Sequence, residues 1–302
     1  MSRPTIDVLL FCLLATFWGG SFVAIKFVVA DFPPAFGAML RVGLAVAVFG
    51  AYFTYEGRRL SVAPSVRRRM WLAGLFAQGL PFALLFWGER KIAPGLAGII
   101  NGTVPLWTFL FGLAAGTGEG FTLKKSAGLL LGFAGIAAVC APVFAFGGTR
   151  GEIQGTSAVF LMAFCYAVGS LLTRSLLSGG AKADFRANLF HQHCASLALL
   201  VAFSALTEKW PPLAVFLFSG KALVALFYLG FFSTALAFMI YFHLIREWGA
   251  VRASAVTYVA PIIALFWDYV FFRNVPVFLE IVGVAAILSG VVLLHSPSTR
   301  KA

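Results

Sequence analysis

The sequence predicts an all-α membrane protein of ten transmembrane helices, arranged as two inverted five-helix halves around a central cavity. Three observations predict it. Of 302 residues, 61% are hydrophobic and only 11% charged, whereas a soluble domain carries charge on about a quarter of its positions. Apolar runs of the roughly 17–25 residues that cross a bilayer recur along the whole chain, with short polar joints between them. The second half also repeats the first at a nearly constant offset.

In order, the runs are Asp7–Val29, Pro34–Tyr55, Trp71–Glu89, Ala93–Ala115, Thr122–Pro142, Gln154–Leu177, Phe185–Thr207, Lys221–His243, Ala250–Phe272 and Pro276–His295. Turn residues mark several joints, among them Asp31-Phe-Pro-Pro, Gly118-Glu-Gly, Gly147-Gly-Thr and Trp210-Pro-Pro. The first run resembles a signal peptide in having one Arg before its apolar stretch. It lacks a small-residue cleavage site and continues to Val29, so it reads as a retained helix.

The net charge of +12 does not point to nucleic acid, because Lys and Arg stand at the ends of apolar runs instead of on amphipathic faces. They mark topology. With the N-terminus inside, the inner loops and tails hold fifteen of them, including Arg58, Arg59, Arg67, Arg68, Arg69, Lys124, Lys125, Lys182, Arg252, Arg300 and Lys301. The outer joints hold six, Arg90, Lys91, Arg150, Lys209, Lys221 and Arg273. Both termini are therefore expected in the cytoplasm.

Cys12, Cys140, Cys165 and Cys194 lie inside apolar runs without paired spacing, so neither disulfides nor a metal site is expected, and no cofactor motif occurs. An intramembrane enzyme needs a nucleophile and base or metal ligands converging at one depth. H-E-x-x-H and G-x-S-x-G are absent.

An offset of 156 aligns Gly74 with Gly230, Leu80 with Leu236, Phe82 with Phe238, Phe86 with Phe242, Arg90 with Arg246, Ala97 with Ala253 and Pro105 with Pro261. An offset of 155 pairs Gly128 with Gly283 and Gly135 with Gly290. Halves of residues 1–145 and 146–302 follow. Five helices is an odd number, so the second half enters the membrane in the opposite orientation, the internal symmetry typical of secondary transporters.

Within a helix, Pro frees the carbonyl four residues earlier, here those of Asn101 and Thr257. Both prolines fall near the bilayer midplane at about 1.5 Å per residue, where a free carbonyl needs a polar neighbourhood. Asn101, Thr257, Gln78 and Tyr166 are therefore candidate lining residues of a substrate pathway, with hydrogen bonding between helices the alternative. Trp18, Tyr166 and Tyr258 offer flat faces for a solute or ordinary packing. Gly19 and Gly20 permit either close helix approach or bending at a gate, and Pro105 and Pro261 are candidate hinges.

Arg41 lies about two turns inside the second helix, where an Arg is costly unless paired or hydrated. Glu89 is its candidate partner. Lys26 is expected to snorkel to the interface, and His191 and His193 to be structural. By counting, no carboxylate reaches the midplane, and the carboxylate relay of a proton-driven pump is missing.

Phe17-Trp-Gly-Gly-Ser-Phe-Val-Ala-Ile-Lys26, Tyr228-Leu-Gly-Phe-Phe-Ser-Thr-Ala-Leu-Ala237 and Gly249-Ala-Val-Arg-Ala-Ser-Ala-Val-Thr-Tyr-Val-Ala-Pro261 resemble the drug/metabolite transporter superfamily in its ten-helix EamA-type branch. The likeness covers both halves. A Gly-Glu pair that the family often carries stands at Gly118-Glu119, while the equivalent place reads Phe272-Arg273-Asn274. The resemblance implies a bacterial inner-membrane exporter, similar to those of aromatic amino acids. Its partners would be a small-molecule substrate, an amino acid or related metabolite, and the lipid bilayer, with the protein a monomer or homodimer. Efflux of cationic drugs is the alternative.

A reporter active only outside the cytoplasm should be silent when fused after Ala302 and active when fused after Arg150. The reverse pattern contradicts the ten-helix topology.

Overall fold

The computed structural model describes residues 3–57, 60–116, 122–178, 184–248 and 253–295. Arg58, Arg59, Gly118, Glu119, Lys182, Gly249, Arg252, Arg300 and Lys301 lie outside the described residues. Among those described, every regular element is helical, as expected of a chain whose backbone must satisfy its own hydrogen bonds in lipid.

The main helices are α1 (Arg3–Asp31), α2 (Pro34–Tyr55), α3 (Pro64–Glu89), α4 (Pro94–Ala114), α5 (Leu123–Phe144), α6 (Arg150–Ser178), α7 (Phe185–Thr207), α8 (Gly220–Trp248), α9 (Val256–Phe272) and α10 (Phe278–His295). A short helical segment, Leu213–Phe218, joins α7 to α8. Helix α3 starts seven residues before the expected Trp71, because Pro64 is well placed in a first turn, where its missing N–H has no partner to lose. Helices α1 to α8 are long and apolar enough to cross a membrane, whereas α9 and α10 are shorter apolar helices. At 17 and 18 residues, they measure about 26–27 Å against a hydrocarbon core of about 30 Å. The chain is an all-α, multi-pass membrane protein. Large apolar side chains project outward all around it, among them Leu130, Leu206, Val224, Ile262 and Phe278. Water would not tolerate such a surface, but lipid does.

Two helices depart from regular winding at matching places. Leu75–Gly79 in α3 and Tyr228–Leu236 in α8 are wound as π-helix, and the offset of 156 carries the first inside the second. Ser196 of α7 donates to the carbonyl of Gly74 at 2.9 Å, beside the first wide turn. Thr234 donates to the carbonyl of Leu229 at 2.7 Å within the second. Such local widening re-aims side chains and frequently marks functional positions.

The prolines act differently from each other. Helix α4 breaks at Gly102-Thr103, which leaves Pro105 in the first turn of the following segment. In α9, by contrast, Pro261 sits inside an unbroken helix, and the turn lies earlier, at Ala255. The expected pair of symmetric kinks is thus replaced by two breaks at non-equivalent positions. Gly102 supplies the difference. It has no side chain to keep α4 helical, and a Cβ added there would come within 2.9 Å of Pro261 Cγ.

Glycine also sets the closest helix pairs. A Cβ on Gly128 would fall 2.7 Å from the Gly290 carbonyl oxygen, and one on Gly135 would fall 2.6 Å from that of Gly283. Because 128 meets 290 while 135 meets 283, α5 and α10 run antiparallel, backbone against backbone, in the manner of small-residue packing in lipid. Helix α4 packs on α9 in the same sense, Gly95 against Asp268, Gly98 against Ala264 and Gly102 against Pro261.

Gly290→Ala should lower stability by about 1–3 kcal/mol, because the added methyl meets backbone that cannot move aside. Gly151→Ala meets only the Thr149 hydroxyl, at 3.8 Å, and should be neutral or stabilising. Denaturation of the two variants in detergent, followed by circular dichroism, compares them.

Candidate functional site

The middle of the bundle is organised around Arg41 of α2, which is 4% exposed. Its Nε donates to the Thr234 hydroxyl at 3.0 Å and one terminal nitrogen to Ser233 at 3.4 Å, both on the π-helical stretch of α8. The guanidinium lies 4.1 Å from the centre of the Phe82 ring, a contact worth about 2 kcal/mol when water is excluded. The edge of Phe82 in turn meets Tyr166 of α6, at 6.4 Å between centroids. Tyr166, Glu89 and Tyr228 are all within electrostatic reach of Arg41. Two of the five guanidinium N–H groups are thereby held, which leaves donors over for a ligand.

Gln78 lies one turn below Phe82 on α3, buried, with its Oε1 unpartnered. Of the expected pathway residues, Arg41, Gln78 and Tyr166 are therefore neighbours of Phe82 in space or along one helix. Trp18 belongs to a separate aromatic group, 5.2 Å from Tyr241 and 6.1 Å from Phe238 between centroids. Asn101 ends the first segment of α4 beside the break. Thr257 turns back on its own helix, donating to the Ser254 carbonyl at 2.8 Å, and Tyr258 packs against the main apolar core.

Arg41 and Gln78 are buried, while Trp18, Asn101, Tyr166, Thr257 and Tyr258 are partly exposed. Two cavities of about 550 and 710 Å³ lie between α4 and α6 and between α3 and α7, and none of the expected pathway residues lines either.

Gly19 and Gly20 serve close approach within an unbroken α1. A Cβ on Gly19 would meet Ala260 and Ile263 of α9, and one on Gly20 would fall 2.6 Å from the Tyr228 hydroxyl. That hydroxyl lies 3.1 Å from the carbonyls of both Thr16 and Phe17 and shares its single proton between them.

The end of the bundle expected to face outward is tied by charge. Lys26 finds acceptors in the protein at this end. Its ammonium donates to the carbonyls of Glu89 at 2.7 Å and Ile92 at 2.9 Å, capping the C-terminus of α3, where a cation is favoured. Glu208, at the end of α7, accepts from the amides of Ala35 and Phe36, both at 2.9 Å, so it holds the N-terminus of α2. Asp268 of α9 accepts from the Gly95 amide at the start of α4 and from Asn274, again at 2.9 Å. Each carboxylate meets the positive end of another helix.

His191 bonds the Leu60 carbonyl and His193 that of Leu189, each at 2.8 Å, which fits the structural roles expected of them. No cluster of three potential metal ligands occurs among the described residues.

A profile of the EamA-like transporter family matches residues 5–141 and 153–296. The chain belongs to the EamA-like transporter family. It is 26% identical to a WAT1-related chloroplastic protein of Arabidopsis thaliana, over 93% of this chain and 67% of that one. It is 24% identical to protein PagO of Salmonella typhimurium, over 90% and 86%. The uncharacterized inner membrane transporter YedA of Escherichia coli is 26% identical over 82% and 77%. A crystal structure at 23% identity, covering 97% of this chain and 96% of its own with a TM-score of 0.63, shares the fold.

Sequence reasoning missed Phe82, Ser233, Thr234 and Glu208. Ser233-Thr234 stands in a stretch quoted for its family likeness, and a polar pair amid aromatics was the available signal. Glu208 stands just before Lys209-Trp210-Pro211-Pro212, and nothing local gives away its partners 172 and 173 residues distant.

Glu208→Ala leaves two amides of α2 without their acceptor and should cost about 1–3 kcal/mol. Hydrogen exchange at Ala35 and Phe36 should accelerate while that of α5 stays unchanged. Equal protection in both proteins contradicts the clamp.

Proposed function

We propose that this EamA-like transporter exports small metabolites, amino acids including aromatic ones, across the bacterial inner membrane by alternating access. The observation that carries the reading is Arg41, a guanidinium buried in the bundle with unused donors and a floor of Phe82 and Tyr166. A carboxylate is the natural ligand of such a fork, and the surrounding rings suit an apolar or aromatic side chain. Trp18, Gln78, Asn101, Thr257 and Tyr258 would line the remainder of the path as helices separate.

Alternating access rests on two inverted halves, residues 1–145 and 146–302, of five helices each, with both termini cytoplasmic. Three features support them. The family profile matches once on each side of that boundary. The π-helical stretches stand one repeat apart. The glycines of α5 and α10 meet crosswise: Gly128 with Gly290 and Gly135 with Gly283 exchange places under the offset of 155, as a two-fold axis in the membrane plane requires. Opening would part the clamps at Glu208 and Asp268, with Pro105, Pro261, Gly19 and Gly20 at the pivots.

One observation favours a second reading. Glu89 is wholly buried, and a buried acid suits cationic compounds. Counterflow of labelled phenylalanine into liposomes, against a lipophilic cation, separates the two. Losing a charge-assisted hydrogen bond worth about 1.5–3 kcal/mol, Arg41→Gln should raise the phenylalanine concentration for half-maximal exchange about tenfold or more. Unchanged exchange in Arg41→Gln would remove Arg41 from the site, and exchange of the cation alone would favour the second reading.

A further inference from the structure

Glu89 ends α3 in a setting that its hydrogen bonds do not explain. The residue is 0% exposed, and neither carboxylate oxygen has a hydrogen-bond partner among the described residues. Lys26, the nearest cation on α1, directs its ammonium to the backbone carbonyls of Glu89 and Ile92 instead of to the carboxylate. Arg41 on α2 is within electrostatic reach, but its bonds go to Ser233 and Thr234. From α9 comes Asp268, with its oxygens committed to Gly95 and Asn274. Tyr166 of α6 and His193 of α7 face Arg41. Among the described residues of α4, none that faces Glu89 is ionisable.

A buried carboxylate without hydrogen bonds costs several kcal/mol. Two cations nearby offset part of that cost through space, yet both oxygens remain free to receive something. What fits them is a hydrogen-bond donor that arrives and leaves: a proton, or the ammonium group of a substrate. Both cannot occupy one carboxylate together.

We infer that Glu89 is the coupling residue of the transporter, binding in alternation a proton that enters and the ammonium of an amino acid that departs. This rests on the amino-acid reading above. In one state a proton from outside bonds a carboxylate oxygen and makes a neutral carboxyl. In the other, that proton has left to the cytoplasm, and the substrate lies with its carboxylate toward Arg41 and its ammonium toward Glu89. No electrons move, and one proton enters per amino acid exported. The sequence count found no acid at the midplane and gave no reason to expect coupling. Counting gives depth along a helix, however, and not burial.

Two measurements on the reconstituted full chain test the inference. In the first, an imposed gradient of about one pH unit, with the membrane potential clamped at zero, should sustain an amino-acid gradient of up to about tenfold at one-for-one exchange. Glu89→Gln, which can neither release a proton nor offer a charge to the ammonium, should lose this accumulation and weaken counterflow as well. Glu89→Asp should keep both, which guards against misfolding as the explanation. In the second, infrared spectra without substrate should show a protonated-carboxyl band that titrates with pH and is absent from Glu89→Gln. Wild-type counterflow indifferent to the pH gradient, full accumulation by Glu89→Gln, or a carboxyl band the same in both proteins would each overturn the coupling role. Failure of wild-type counterflow with every amino acid, alongside a titrating band, would instead overturn only the substrate reading.

Discussion

Placing a guanidinium inside a bundle that lipid surrounds constrains everything near it. Arg41 cannot reach water from its depth in α2, so neighbouring helices must supply what hydration would have given. The wide turns of α8 aim Ser233 and Thr234 at it, α3 presents the face of Phe82, and the next turns of α3 carry Gln78 and Glu89. The π-helical winding of α8 is then a means of presenting two hydroxyls to one cation, with the Thr234 hydroxyl passing its own proton back to Leu229.

The same physics operates at the ends of the helices. Amides at helix N-termini have no partners within the helix, and Glu208 and Asp268 supply them from other helices, close to where α2 and α4 begin. These contacts are polar, unlike the close backbone contacts of α5 with α10 and of α4 with α9. A few polar bonds can break and re-form at small cost, whereas glycine-mediated contact cannot be parted without opening a void. Close backbone seams join α5 to α10 and α4 to α9, and the carboxylates at the clamped end add polar ties there and between α7 and α2.

The membrane class and the helices could be read directly, because lipid imposes long apolar runs that composition cannot disguise; α7 begins and ends at the expected Phe185 and Thr207. The role of Gly128 and Gly135 was also legible, since small residues recurring on one face of a helix predict close packing. What the sequence hid was everything that depends on partners far along the chain. Lys26 looked like a snorkelling lysine because its acceptors are main-chain carbonyls of another helix, invisible as side chains. Pro261 looked like the twin of Pro105, but helix breaking also depends on the residues preceding it, and Gly102 has no counterpart at Tyr258. Arg41 was recognisable from cost alone, and its surroundings were not.

The central claim is that Arg41 holds the carboxylate of a transported amino acid. Nitrogen-15 NMR of the Arg41 side chain in reconstituted protein tests it most directly, since Nε reports its bond to Thr234 and the terminal nitrogens report a new acceptor. Phenylalanine should shift the terminal nitrogen signals, and phenylalaninol, which keeps the ring and ammonium but lacks the carboxylate, should leave them in place. Signals that ignore both compounds, or that respond equally to the two, would contradict it.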